Sequence, residues 1–139
     1  DTEILALGGP ALKAVADHFL ADLVSQSVMG FWEPLKKIPW FWRVHKEILL
    51  PALRDFQPGV VVPVDSFGFN RFTAQAAHRA GRKVYYFISP QVWASRPWRI
   101  NILRKNVDKM LTIFPFEEKL YKKHDIHTAF VGHPLLDVL

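Results

Sequence analysis

An α/β fold built on a parallel sheet is what this sequence predicts, and three observations predict it. Four short runs rich in apolar and β-branched residues, 60–64, 84–88, 110–114 and 128–131, have the length and composition of buried strands. Between them lie segments with helical spacing or helix-boundary residues, 70–80, 95–106 and 116–124. The links are short, so strand and helix alternate without a break. Such alternation implies parallel pairing, right-handed crossovers, helices on both faces and ligands at the carboxyl ends of the strands.

Taken in order, residues 4–7 form an apolar run closed by Gly8-Gly9-Pro10, which reads as a strand turning into a helix over 11–17. Residues 18–30 carry no clear period. Over 31–42 aromatics alternate with two Lys and two Pro, and Pro34 and Pro39 argue against one continuous helix. Val44, Ile48, Leu49, Ala52, Leu53 and Phe56 then repeat at helical spacing, interrupted by Pro51, so a kinked helix or two short ones precede Gln57-Pro58-Gly59. The run 60–64 is the next strand. Asn70 stands where a helix N-cap is expected and Gly81 where that helix stops. Pro97 falls in the first turn of the helix over 95–106, and Gly132 closes the last strand.

The 139 residues are one domain's worth and can bury a core without disulfides or a structural metal; no Cys is present, which excludes thiolate metal sites. The longest stretch without Asp, Glu, Lys, Arg or His, 84–95, is too short for a membrane-spanning helix and contains Pro90. The six His show no His-x-x-x-His spacing, and no Walker loop or Gly-x-Gly-x-x-Gly follows a strand, so no metal site is expected. Asp1 opens the chain with neither an initiator Met nor a signal-peptide core, so the sequence reads as an excised piece. The net charge of +5 is uneven. Residues 66–109 hold nine Lys or Arg and one acid, Asp108, a net +8 that suits nucleic acid, anionic headgroups or a phosphorylated small molecule, or else a solvated helix face.

The strand-end rule singles out Asp65, Ser89-Pro90, Pro115 and Gly132-His133. Asp65 directly follows apolar residues, so its carboxylate falls at the rim of a dry sheet, where burial can tune it as a general base; its plainer reading is a helix cap. His133 is a base, a phosphate contact or a turn residue before Pro134. Trp32, Leu35, Ile38, Phe41 and Trp42, interleaved with Lys36 and Lys37, have the composition of a surface that beds into lipid, or of a core element.

Four blocks at these strand ends also resemble a known family. Val64-Asp65-Ser66-Phe67-Gly68-Phe69-Asn70, Tyr85 through Ala94 with its Ser89-Pro90-Gln91-Val92-Trp93-Ala94 core, Ile113-Phe114-Pro115-Phe116-Glu117 and Phe130-Val131-Gly132-His133-Pro134-Leu135 are similar, in order and spacing, to the lipid A disaccharide synthase family. Gly9-Pro10 and Val28-Met29-Gly30 fit as well. Phe67 departs from the family, which often has Pro there. The resemblance implies a Rossmann-like domain, 1–139, forming the amino-terminal, acceptor-side half of a B-type glycosyltransferase. It implies that the first strand and loop, and the carboxyl-terminal UDP-binding domain, lie outside this sequence.

The activity it implies is inverting transfer from UDP-2,3-diacylglucosamine to 2,3-diacylglucosamine 1-phosphate, giving a β-1,6 disaccharide and UDP. No cofactor is expected beyond the UDP-sugar donor. Asp65 is the expected base, Asn70 supports its loop, and Ser89, Gln91, Trp93 and His133 line the acceptor crevice. Arg96 and Arg99 are expected to pair with the acceptor phosphate. The 31–42 patch would seat the enzyme on the cytoplasmic leaflet of the inner membrane, and a homodimer of the full-length enzyme is left open. The isolated 139 residues are expected to be inactive. Nucleic acid is not an expected partner. Two alternatives stand beside this reading: another UDP-sugar-using B-type transferase or epimerase, and a basic non-catalytic nucleic-acid-binding module.

Overall fold

A computed structural model describes residues 2–24, 33–91 and 98–138, with the backbone alone at 33–36. The chain divides into two compact units, Asp1–Ala52 and Leu53–Leu139. In both, strands pair in parallel and helices flank them, the α/β Rossmann-like arrangement expected from the sequence.

In the first unit, β1 (Leu5–Gly8) pairs in parallel with β2 (His18–Asp22), and α1 (Pro10–Val15) connects them. Pro10 starts α1 at a position where no N–H is needed. The Asp17 carboxylate accepts a hydrogen bond from the Ile4 N–H at 2.7 Å and so fixes where β2 begins. β2 is an addition to the elements expected from the sequence. It is short and only partly covered, so it lacks the apolar run that marks a buried strand.

The segment beginning at Glu33 corrects a second expectation. It is one helix, α2 (Glu33–Val44), and it passes through Pro39. Pro34 falls in the first turn, where its missing N–H costs nothing, and Pro39 removes a single bond from a twelve-residue helix. A π-helical turn, His45–Leu49, comes directly after it, with the Leu50 N–H donating to the His45 carbonyl, and α3 (Leu50–Asp55) continues from it. The wider turn immediately precedes Pro51. A π-turn re-registers the ladder, so Pro51 changes the hydrogen-bond spacing instead of ending the helix.

The second unit carries a four-stranded parallel sheet in the order β3-β4-β5-β6: Val60–Val61, Lys83–Phe87, Lys109–Thr112 and Thr128–Phe130. Helices α4 (Phe67–Arg79), α5 (Arg99–Asn106) and α6 (Pro115–Lys122) join them; α4 lies against β4 and α5, and α6 against β5 and β6. One face of the sheet, Val84, Tyr86, Met110, Thr112 and Thr128, is fully buried. Ala74 and Ala77 of α4, Ile100 and Leu103 of α5, and Tyr121 of α6 are buried as well. Those residues recur at helical spacing, the stripe that packing on a sheet requires.

β3 differs from expectation. Its regular ladder is two residues long, because Pro63 has no N–H to donate; the Pro63 carbonyl instead accepts from the Phe87 N–H at 2.9 Å, and Val64 forms an isolated bridge with Phe87. It is an edge strand in this sheet, and Val60, Val62 and Val64 are exposed, not buried. Asn70 is not the cap of α4 either, since the helix begins three residues earlier, at Phe67.

Candidate functional site

At the carboxyl ends of the strands the ladder hydrogen bonds continue past the strands and position the loops. The Asp65 N–H donates to the Phe87 carbonyl at 3.0 Å, the Ile88 N–H to Leu111 at 3.1 Å, and the Val131 N–H to Thr112 at 2.9 Å. Asp65 and Ile88 both have positive φ, +52° and +58°. These are conformations that L-residues hold only when their surroundings impose them.

Two buried phenols brace these loops. The Tyr86 hydroxyl, on β4, donates to the Asp65 carbonyl, and the Tyr121 hydroxyl, on α6, donates to the Pro90 carbonyl at 2.8 Å. Burial pushes both phenols well above the ordinary tyrosine range, so each stays protonated and able to donate. For Tyr86 the neighbouring Asn70 opposes this shift while Asp65 and Tyr121 add to it; for Tyr121 the Ser89 hydroxyl opposes it and Glu117 adds. Asn70, in the first turn of α4, reaches back with its amide to the Val64 carbonyl at 2.7 Å and the Asp65 carbonyl at 3.4 Å. It holds the Asp65 loop from the helix side.

These loops enclose a cavity of about 540 Å³. Asp65 and Phe67 line it from the β3–α4 connection, Ile88 to Gln91 from the end of β4, and Arg99 from the start of α5. Ile113, Phe114 and Glu117 complete it from the end of β5 and the first turn of α6. The volume is that of a small-molecule site. Asp65 is exposed, Ser89 is buried and Gln91 is exposed.

Of the residues expected at a site, the fold therefore brings Asp65, Ser89, Gln91 and Arg99 to one cavity, with Asn70 behind it. Trp93 and Arg96 lie outside the described residues. His133 reaches the neighbourhood through Phe114, their rings 5.6 Å apart, while its Nδ1 accepts from the Leu135 N–H at 3.2 Å and caps the 3₁₀ turn Pro134–Asp137. That bond places the proton of a neutral ring on Nε2. Gly132, with φ of +88°, makes the turn that brings His133 there.

The proposed lipid patch is described only in part. Trp32 lies outside the described residues, and at Leu35 and Lys36 the backbone alone is described. Ile38 and Trp42, one turn apart on α2, are 47% and 43% exposed, whereas Phe41 and Lys37 are half-buried. Among the described residues no helix is long and apolar enough to cross a membrane, and no cluster of three or more potential metal ligands occurs.

Ile88, Ile113, Phe114, Phe67 and Glu117 line the cavity without having been expected there, and the last two bear on its chemistry. Glu117, only 1% exposed, presents a buried carboxylate at a helix start, where the backbone N–H groups favour a negative charge. An acid in the first helical turn is ordinary by sequence, and only its burial beside a cavity sets it apart. Phe67 drew notice only as a departure from the family, which often has Pro there, yet it forms part of the wall.

A family model described as lipid-A-disaccharide synthetase matches residues 1–139. Lipid-A-disaccharide synthase from Chromohalobacter salexigens is 37% identical over 139 residues, which is all of this chain and 36% of that protein. The enzyme of that name from Alcanivorax borkumensis is 39% identical over 133 residues, 96% of this chain and 34% of its own length. Lipid-A-disaccharide synthase 2 from Legionella pneumophila subsp. pneumophila is 34% identical over the full chain and 36% of its length. The chain spans about a third of these curated relatives. With a match from end to end, this chain belongs to the lipid-A-disaccharide synthetase family.

Proposed function

We propose that this chain is the acceptor-side part of an inverting glycosyltransferase that joins UDP-2,3-diacylglucosamine to 2,3-diacylglucosamine 1-phosphate. The observation that carries the reading is a single cavity, at the carboxyl ends of a parallel sheet, lined by a carboxylate and a guanidinium, Asp65 and Arg99. A phosphorylated sugar asks for both groups: a base beside the attacking hydroxyl and a cation for the phosphate. In this scheme Asp65 takes the proton of the acceptor 6-hydroxyl as that oxygen bonds to the donor's anomeric carbon. The bond from that carbon to the UDP oxygen breaks on the opposite face, which inverts the centre.

Ser89 and Gln91 offer hydrogen bonds to the acceptor sugar, and Trp93, Arg96 and His133 extend the crevice in the same proposal. UDP is held by the half of the enzyme that lies outside these residues, so the 139 residues alone would show no turnover. The exposed Ile38 and Trp42 of α2, with Trp32, Leu35, Lys36, Lys37 and Phe41, would rest on the cytoplasmic leaflet of the inner membrane. The deciding experiment is Asp65→Asn in the full-length enzyme, with turnover followed by UDP release. Loss of a positioned general base lowers kcat by roughly 100- to 10,000-fold. Turnover within about tenfold of the parent would remove Asp65 from that role.

A further inference from the structure

Arg99 enters the cavity with its planar cation laid against aromatic rings. Its guanidinium carbon stands 4.7 Å from the centroid of Phe67 and 5.6 Å from that of Trp98. Phe67, the first residue of α4, is buried and lines the same cavity. Arg71 reaches the Phe67 ring as well, at 5.9 Å, while resting more closely on Phe72 at 4.4 Å. Two cations thus converge on one ring, and the nearer of them is the one in the cavity.

A long, flexible side chain loses rotamer freedom when it must grip a ligand, and that loss weakens binding unless the side chain is already held. An aromatic ring can hold a guanidinium by its face, through the negative quadrupole of the ring, while the N–H donors point along the edge from which a phosphate is recognised. We propose that Phe67 is a positioning residue, its ring holding the Arg99 guanidinium in the cavity in the orientation that receives the anionic group of the acceptor. The proposal rests on Arg99 being a ligand of the acceptor phosphate. It assigns Phe67 a role in acceptor affinity and none in the chemical step.

The test uses the full-length enzyme with Phe67 replaced by ring-fluorinated phenylalanines, which keep the shape of the ring and progressively remove the charge on its face. Acceptor KM should rise with each added fluorine, reaching about three- to tenfold for the trifluoro ring, with kcat and donor KM within about twofold of the parent. Phe67→Leu should raise acceptor KM by a similar factor and Phe67→Tyr should restore it. In an Arg99→Ala background Phe67→Leu should add nothing. An acceptor KM that stays flat across the fluorinated series, while Arg99→Ala still raises it, overturns the positioning role alone. Additive effects of Phe67→Leu and Arg99→Ala overturn it too. If Arg99→Ala leaves acceptor KM unchanged, the phosphate assignment fails and the proposal falls with it. The fluorinated series also decides the matter if Phe67→Leu does not fold.

Discussion

Ile88 holds the least expected backbone of the site, because a β-branched side chain rarely accepts a positive φ, and Asp65, at the end of the adjacent strand, shares that state. Each costs about 1–3 kcal/mol, which neighbouring bonds must offset. For Asp65 those bonds are its N–H to Phe87, its carbonyl to the Tyr86 hydroxyl, and the Asn70 amide nearby. Tyr86→Phe keeps the packing and removes one of them, leaving the Asp65 carbonyl with one donor fewer. It should lower unfolding free energy by about 1 kcal/mol, measured by denaturant titration. If Asp65 is the base, the looser loop should also reduce kcat more than KM. Unchanged stability and turnover would show that the phenol does not hold the loop. Asp65 and Ser89 are legible in the sequence because apolar runs mark where strands end, and ligands gather at the residues just beyond those ends. Arg99 is legible as a cation near the start of the next helix. Glu117 and Phe67 are not, since their importance lies in burial and ring contact, which one-dimensional spacing does not encode.

Among elements, α4 is recognisable from sequence but mislocated at its start, whereas its end is placed correctly for a clear reason. Gly81, φ of +71°, comes after the helix, with its N–H donating to His78 and the Arg82 N–H to Ala77. That is a Schellman closure, and it requires a left-handed residue at that point. Gly81→Ala should therefore lower stability by about 1–2 kcal/mol, seen as a lower denaturation midpoint with an unchanged slope. The start is missed because Asn70 is a good cap by type but uses its amide to hold the preceding loop, so the helix extends to Phe67. In α2 the difficulty is the opposite one, a breaker that does not break. A first-turn Pro and one interior Pro leave it undivided, and Pro51 coincides with a π-turn instead of a break. The continuous helix sets Ile38 and Trp42 on one exposed face. Ile38→Ser with Trp42→Ser in the full-length enzyme should reduce co-sedimentation with anionic liposomes severalfold; retained binding would return that face to a packing role.

At the scale of the whole molecule, the two buried tyrosines couple stability to alkaline pH. Their folded pKa values are raised above the ordinary value of 10.0, so above about pH 10 the unfolded chain releases these protons more readily than the folded one. The stability they contribute is complete below pH 10 and lost as pH rises beyond it. Tm should therefore fall between pH 9 and pH 11, less steeply in Tyr86→Phe and Tyr121→Phe than in the parent; identical slopes would mean that these phenols titrate normally. The order of the sheet in the second unit has a consequence in time. Val60 pairs with Lys83, Tyr85 with Lys109 and Met110 with Thr128, separations of 23, 24 and 18 residues. Every strand thus finds its earlier neighbour already synthesised, and no pairing waits on a distant segment. Loop closures of such similar length differ little from one another in entropic cost. The sheet that carries the cavity can therefore assemble strand by strand, in the order in which a ribosome delivers it.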